Sequence, residues 1–195
     1  MKKLILTLGI VVSLFSSCSS DDSLKNEEPS RISAVVNEEN YDTQKIMYRM
    51  LSNEEKLQLW QDKLDNMIMN DGLNEKQINL IQDLKAHLNA NLFDNSGNND
   101  KREIFKNVYA KDFLKKSQLL FTPAYFESSF YNISNRVFFN GDDEGPNKPD
   151  CTCNQSSIWS CVGQPDCKES NKCKTTTDGC GFLGLAECDG RCYIQ

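Results

Sequence analysis

The residues whose type and spacing point to chemistry are cysteines: eight of the nine in this 195-residue chain fall within residues 151–195. They stand at Cys151, Cys153, Cys161, Cys167, Cys173, Cys180, Cys188 and Cys192. Thiols so clustered can pair as disulfides, hold a metal ion or exchange electrons. A zinc site normally uses two close C-x-x-C pairs or adds histidine, and this segment contains neither. The missing C-x-x-C also removes a thioredoxin-like exchange site. An even set of eight therefore reads as a disulfide framework, with its pairing open because eight cysteines allow 105 connectivities.

Other chemistry is thin. His87 is the sole histidine and sits between Leu84 and Leu88 at a helical spacing, as a surface or boundary residue does. No nucleophile elbow, phosphate-binding loop or zinc-protease helix is present. The loop 94–100 alternates oxygen-bearing side chains but lacks the glycine and terminal glutamate of a calcium loop. We therefore expect no catalytic residue, no metal and no cofactor. The chain carries a net charge of −6, and residues 151–195 hold four basic side chains against five acidic ones. That balance disfavours nucleic acid as a partner and denies the tail the bulk attraction to anionic lipid used by cationic lytic peptides.

A segment this short buries too little apolar surface to fold unaided, so covalent staples must supply the difference. Each native disulfide in a small secreted domain contributes about 2–5 kcal/mol. Cys151-Thr-Cys153, the stepped Cys161, Cys167 and Cys173, the triplet Gly179-Cys180-Gly181 and the final Cys192-Tyr193 resemble fulvocin C, a small disulfide-rich bacteriocin. The layout, a polar region behind an export signal and ahead of the cysteines, resembles fulvocin C-related precursor proteins. The end departs from the family pattern, since Cys188 and Cys192 are more widely separated. The resemblance implies a tail that inhibits competing bacteria by a specific contact with a target on the cell. Exposed apolar groups on a stapled scaffold mark a partner surface, which makes Trp159, Phe182 and Leu183 candidate contacts. Packing into the tail's own small core is the other reading of these three. A surface protein whose tail is a binding or adhesion knob is the alternative function. An inhibitory protease loop at 175–178 is a third.

The N-terminus carries Lys2 and Lys3, then an apolar run from 4 to 15 that, at about 12 residues, is shorter than a membrane span. Ser16-Ser17-Cys18 follows, and it resembles the lipobox of bacterial lipoproteins, with Phe15 where an aliphatic residue is usual. Cys18 would then be the acylated first residue of the mature chain, which also accounts for the odd cysteine. Multiple acyl chains anchor stably where one is marginal. The expected location is the cell envelope, lipid-anchored at the outer membrane and surface-exposed, with the tail releasable by a processing protease. An ordinary cleaved signal is the other reading.

These segments must be positioned by the rest. Residues 18–40 are polar and acidic, and read as a flexible tether. Ile46, Met47, Met50 and Leu51 suggest a short opening helix. Ser52 and Glu55 form a capping-box pattern ahead of Leu57, Trp60, Leu64, Met67 and Ile68, and Asp71-Gly72 ends that helix. Asn74 caps a second helix carrying Ile78, Ile81, Leu84, Leu88 and Leu92. A third carries Phe105, Val108, Tyr109 and Phe113, and a fourth spans about 123–135 with Pro123 in its first turn. Residues 140–150, with two glycines, two prolines and four acids, break the pattern. The expected fold is mainly α: a signal peptide (1–17), the tether (18–40), a small helical bundle as leader or spacer (41–139), a linker (140–150) and a disulfide-rich, loop-rich domain (151–195).

Replacing Cys18 with alanine is expected to move the protein from the membrane fraction to the soluble fraction and to abolish metabolic labelling with a palmitate analogue. Unchanged membrane association of C18A would remove the anchor.

Overall fold

A computed structural model describes residues 30–96, 99–134, 151, 153–155, 167–169 and 173–192. The chain is mainly α. Helices α1 (Arg31–Asn37), α2 (Tyr41–Arg49), α3 (Asn53–Asn70) and α4 (Glu75–His87) lead into a 3-10 turn at Ala90–Phe93. A long helix follows in three parts: α5 (Asp100–Ile104), a π-helical turn at Phe105–Tyr109, and α6 (Ala110–Ser117). Helix α7 (Pro123–Phe130) closes the set. Four short strands come from the cysteine-rich segment: β1 (Cys167–Glu169), β2 (Thr176–Cys180), β3 (Ala186–Cys188) and β4 (Gly190–Cys192). They form two antiparallel pairs, β1 with β4 and β2 with β3. No helix among the described residues is long and apolar enough to cross a membrane.

Local sequence starts each long helix. Ser52 accepts from the Glu55 backbone N–H while the Glu55 carboxylate accepts from the Ser52 N–H, and Asn74 and Gln77 repeat that reciprocal cap on α4. Gly72, at φ 64°, lies just beyond the end of α3, where a left-handed residue costs glycine little. Helices α3 and α4 bury Leu59, Trp60, Leu64 and Met67 against Leu80, Ile81 and Leu84.

The structure differs from the sequence expectations at five places, each with a physical cause. Residues 31–37, read as tether, are helical: the Ser30 hydroxyl caps the Ser33 N–H, Arg31 pairs with Glu55 at 3.0 Å, and Val35 enters the core. The remainder of the tether, 18–29, lies outside the described residues. Helix α2 forms as expected, but of its expected apolar set only Met47 and Leu51 pack with the core. Ile46 and Met50 are 44% and 68% exposed, whereas Gln44, Lys45 and Tyr48 are buried. Helix α4 stops at His87, and Leu92 reaches the core from the 3-10 turn instead. Val108, expected inward, is 65% exposed. The wider π turn keeps Phe105, Tyr109 and Phe113 on one face at steps of four and rotates Val108 out of it. Helix α7 ends at Phe130, because Lys63 donates to the carbonyls of Ser128 and Asn132 while the Asn132 amide donates to that of Glu127. These groups satisfy the carbonyls a longer helix would have used.

The tail does not hang apart from the helices. Leu183 and Leu185 belong to the same buried cluster as Trp60, Phe113 and Phe130. The Phe182 ring lies 5.4 Å from that of Phe113, 6.1 Å from Tyr131 and 6.2 Å from Phe130. A second, smaller cluster of Cys151, Cys173, Cys180 and Cys188 packs the strands themselves. Truncating Phe113 to alanine is expected to cost about 3–5 kcal/mol in chemical denaturation. Helical circular dichroism and hydrogen exchange of the tail amides should then lose protection in one shared transition. A separate, unshifted transition for the tail would show that the common core is not coupled.

Candidate functional site: the seam between helices and tail

The tail is built from paired thiols. Cys151 is bonded to Cys173, Cys153 to Cys167 and Cys180 to Cys188, closing sequence separations of 22, 14 and 8. Cys161 and the side chain of Cys192 lie outside the described residues, as does Trp159. The disulfide Cys180–Cys188 staples β2 to β3, so the turn between them, 181–185, is held at both ends. A 3-10 turn at Phe182–Gly184 shapes it, and Gly181, Leu183 and Gly184 take φ values of 69°, 55° and 67°.

That turn is what the helices grip. The Lys45 ammonium donates to the Gly179 carbonyl, and the Tyr48 hydroxyl donates to the Leu183 carbonyl at 3.3 Å. Trp60 Nε1 donates to the Tyr48 oxygen at 3.0 Å, which aims the phenol at the turn. Arg102, at the start of the long helix, donates to the Leu185 carbonyl at 2.6 Å and to that of Asp94 at 3.2 Å. One ion pair completes the set: Lys56 Nζ lies 2.6 Å from Asp178 Oδ2, with the two side chains 5% and 9% exposed. The fit is steric as well. A Cβ at Gly184 would lie 2.8 Å from the Tyr48 oxygen, so the backbone approaches the ring only because no side chain intervenes.

Electrostatics follow from burial. Desolvation, reinforced by the neighbouring Arg49 guanidinium and opposed by Asp178, lowers Lys45 to about 7. Desolvation is also the main cause that lowers Lys63 to about 7, with Asp71 acting against it. Burial pushes the Tyr48 phenol well above its ordinary range. Beside the seam lies a polar cleft of about 650 Å³ between residues 94, 95 and 99, α5 and β3, lined by groups that include Asp94, Asn99, Arg102, Glu103, Asn154 and Glu187. Among the described residues no group of three or more histidine, cysteine, aspartate or glutamate side chains is arranged to hold a metal ion. His87 stacks on Tyr109 at a centroid distance of 4.1 Å and donates from Nδ1 to the Asp83 carbonyl, half-exposed on the surface.

These positions include two of the candidate contact residues. Leu183 is fully buried and Phe182 is packed against the bundle's aromatic rings, so neither offers a free surface while the tail is docked. In the docked chain both residues pack against the helices. Conversely, Lys45, Tyr48, Lys56, Arg102 and Asp178 carry the seam, and no motif in the sequence singled them out. One signal was available: α2 places a charged residue and a tyrosine between apolar residues that the fold leaves exposed. No protein-family model, characterised protein or solved structure matches this chain.

Stability should follow pH through the buried lysines. Their folded-state values near 7 lie below the ordinary 10.5, so between these limits the unfolded chain binds more protons and stability climbs with pH. Above the ordinary tyrosine value of 10.0 the sign reverses, because the unfolded phenol ionises while buried Tyr48 keeps its proton. Thermal midpoints are expected to rise from about pH 7 to about pH 10 and then fall, with the rise reduced in K45M. A flat profile over that range would contradict the lowered values of the buried lysines.

Proposed function

We propose that the protein is an envelope lipoprotein whose disulfide-stapled tail acts against competing bacteria through a specific contact, in the manner implied by its resemblance to fulvocin C. The observation that supports this reading is the stapled tail itself. Three disulfides within 151–188 belong to a protein that matures in an oxidising compartment, outside the cytosol. They give a loop-rich segment the resistance that an agent acting outside its producer needs. The anchor at Cys18, behind the signal-like run, is consistent with placement on the envelope. The near-neutral tail balance directs the activity to a defined target rather than to bulk lipid.

Docking adds a condition. The turn 182–185 is covered in the intact chain, so the active surface is either another face of the tail or this turn after the tail leaves the helices. The second reading, an attached binding module, draws on the polar cleft, because its walls come from both the helical part and the tail and it exists only while they stay together.

The deciding experiment compares three forms of the full-length protein made in an oxidising compartment: intact, cut at a protease site engineered within 140–150, and cut then reduced and alkylated. Growth inhibition of related bacteria by the cut form, lost on reduction, is the expected result. Inactivity of the cut form with disulfides verified by mass would overturn the antagonist reading. Disulfide-dependent binding of the intact form to cells would then favour the attached module.

A further inference from the structure

The contacts across the seam are those of recognition rather than of simple packing. Four side chains from three helices, Lys45 and Tyr48 on α2, Lys56 on α3 and Arg102 on α5, all end on the segment 178–185. Three of them reach main-chain carbonyls, which report the shape of a segment, and the fourth meets the Asp178 carboxylate, which reports its charge. The shape is uncommon. Leu183 is the one non-glycine residue with a positive φ among the described residues, a conformation that persists only where surroundings over-determine it. Here the surroundings come from the helices: Tyr48 binds its carbonyl and the bundle core buries its side chain.

Charge divides cleanly across this surface. The helical side presents Lys45, Lys56 and Arg102, and the tail presents Asp178 with carbonyls of 179, 183 and 185. The apolar groups divide in the same way. Leu183 and Leu185 are buried in the helical core and not in the cluster of cysteines that packs the tail. A tail without the helices would expose both leucines, and helices without the tail would open the pocket that receives them.

We propose that the helical part is a receptor for the tail: a binding site whose ligand is the stapled segment 178–185, held without need of the covalent connection. The tail would then remain bound after the chain is cut between 140 and 150. This deepens the antagonist reading, on which its purpose rests. A lipid-anchored receptor that retains cut tails holds them at the producing cell and releases them on dilution, which is how the cut form reaches competing bacteria.

The test uses the full chain, carrying a protease site within 140–150, made under oxidising conditions and cut to completion. Size-exclusion chromatography at low micromolar concentration is expected to show both fragments co-eluting, with separation in denaturant or on further dilution. Dilution of fluorescently labelled cut protein then gives the dissociation constant. K56M leaves Asp178 facing an apolar group and is expected to weaken retention by about 100-fold or more, since removing one partner of a buried pair is strongly unfavourable. K174A, at an exposed tail position, is expected to leave it unchanged. Separation of the fragments at micromolar concentration, with the tail disulfides intact by non-reduced mass, overturns the proposal and needs no substitution to be read. Retention is measured without target bacteria, so it stands or falls independently of growth inhibition.

Discussion

The fold depends on how a cation is compensated once it is taken out of water. Lys56 sits against Asp178 with both side chains almost fully covered. Removing such charges from solvent costs several kcal/mol per ion, and the pair restores that only through close geometry. A buried pair of this kind contributes little net stability compared with apolar residues of the same shape. What it contributes is register: a tail shifted by one residue would leave an ammonium facing no acid. Lys45 and Arg102 extend the constraint, since each ends on a named carbonyl of the same segment. The position of the tail on the helices is therefore set by polar groups, and the apolar residues fill the space those groups define.

Two sources of order meet at this seam. The helices are started by local caps and ordered by an apolar core. The tail is ordered by cross-links that restrict its unfolded chain, and its strands are too short for a stable sheet of their own. Neither source is complete alone. The turn 181–185 joins them, because the Cys180–Cys188 bond fixes its ends while Tyr48, Phe113 and Arg102 fix its middle.

Much of the helical part was legible because its determinants are local. Ser52 with Glu55, Gly72 and Asn74 act within one turn of chain, and the mainly α class follows from them. Helix α1 was hidden because the polar composition of 18–40 outweighed one short apolar face. Helix α2 was legible from its apolar residues, but the burial of Lys45 and Tyr48 in place of Ile46 and Met50 was not. The partners that justify burying a lysine there lie 134 and 135 residues later, beyond the reach of any periodicity. The disulfide framework was legible as a set but not as a pairing, because spacing does not say which strands meet. Phe182 and Leu183 were read as a target contact or as the tail's own small core, and the structure packs them into the core of the helices, whose approach no spacing in the tail reports.

The separation between α2 and its partners also sets an order in time. Chains emerge from the N-terminus at roughly 5–20 residues per second, so α2 is complete on the order of 10 s before Gly179 and Leu183 exist. During that interval Lys45 and Tyr48 have no carbonyl to bind, and the pocket for Leu183 stands open. Contacts of such long range close slowly in any case. The seam cannot close until residues 178–185 have been made, after the whole of the helical part. A chain that stops short of Asp178 would leave Lys56 without its acid and the place of Leu183 in the core unfilled.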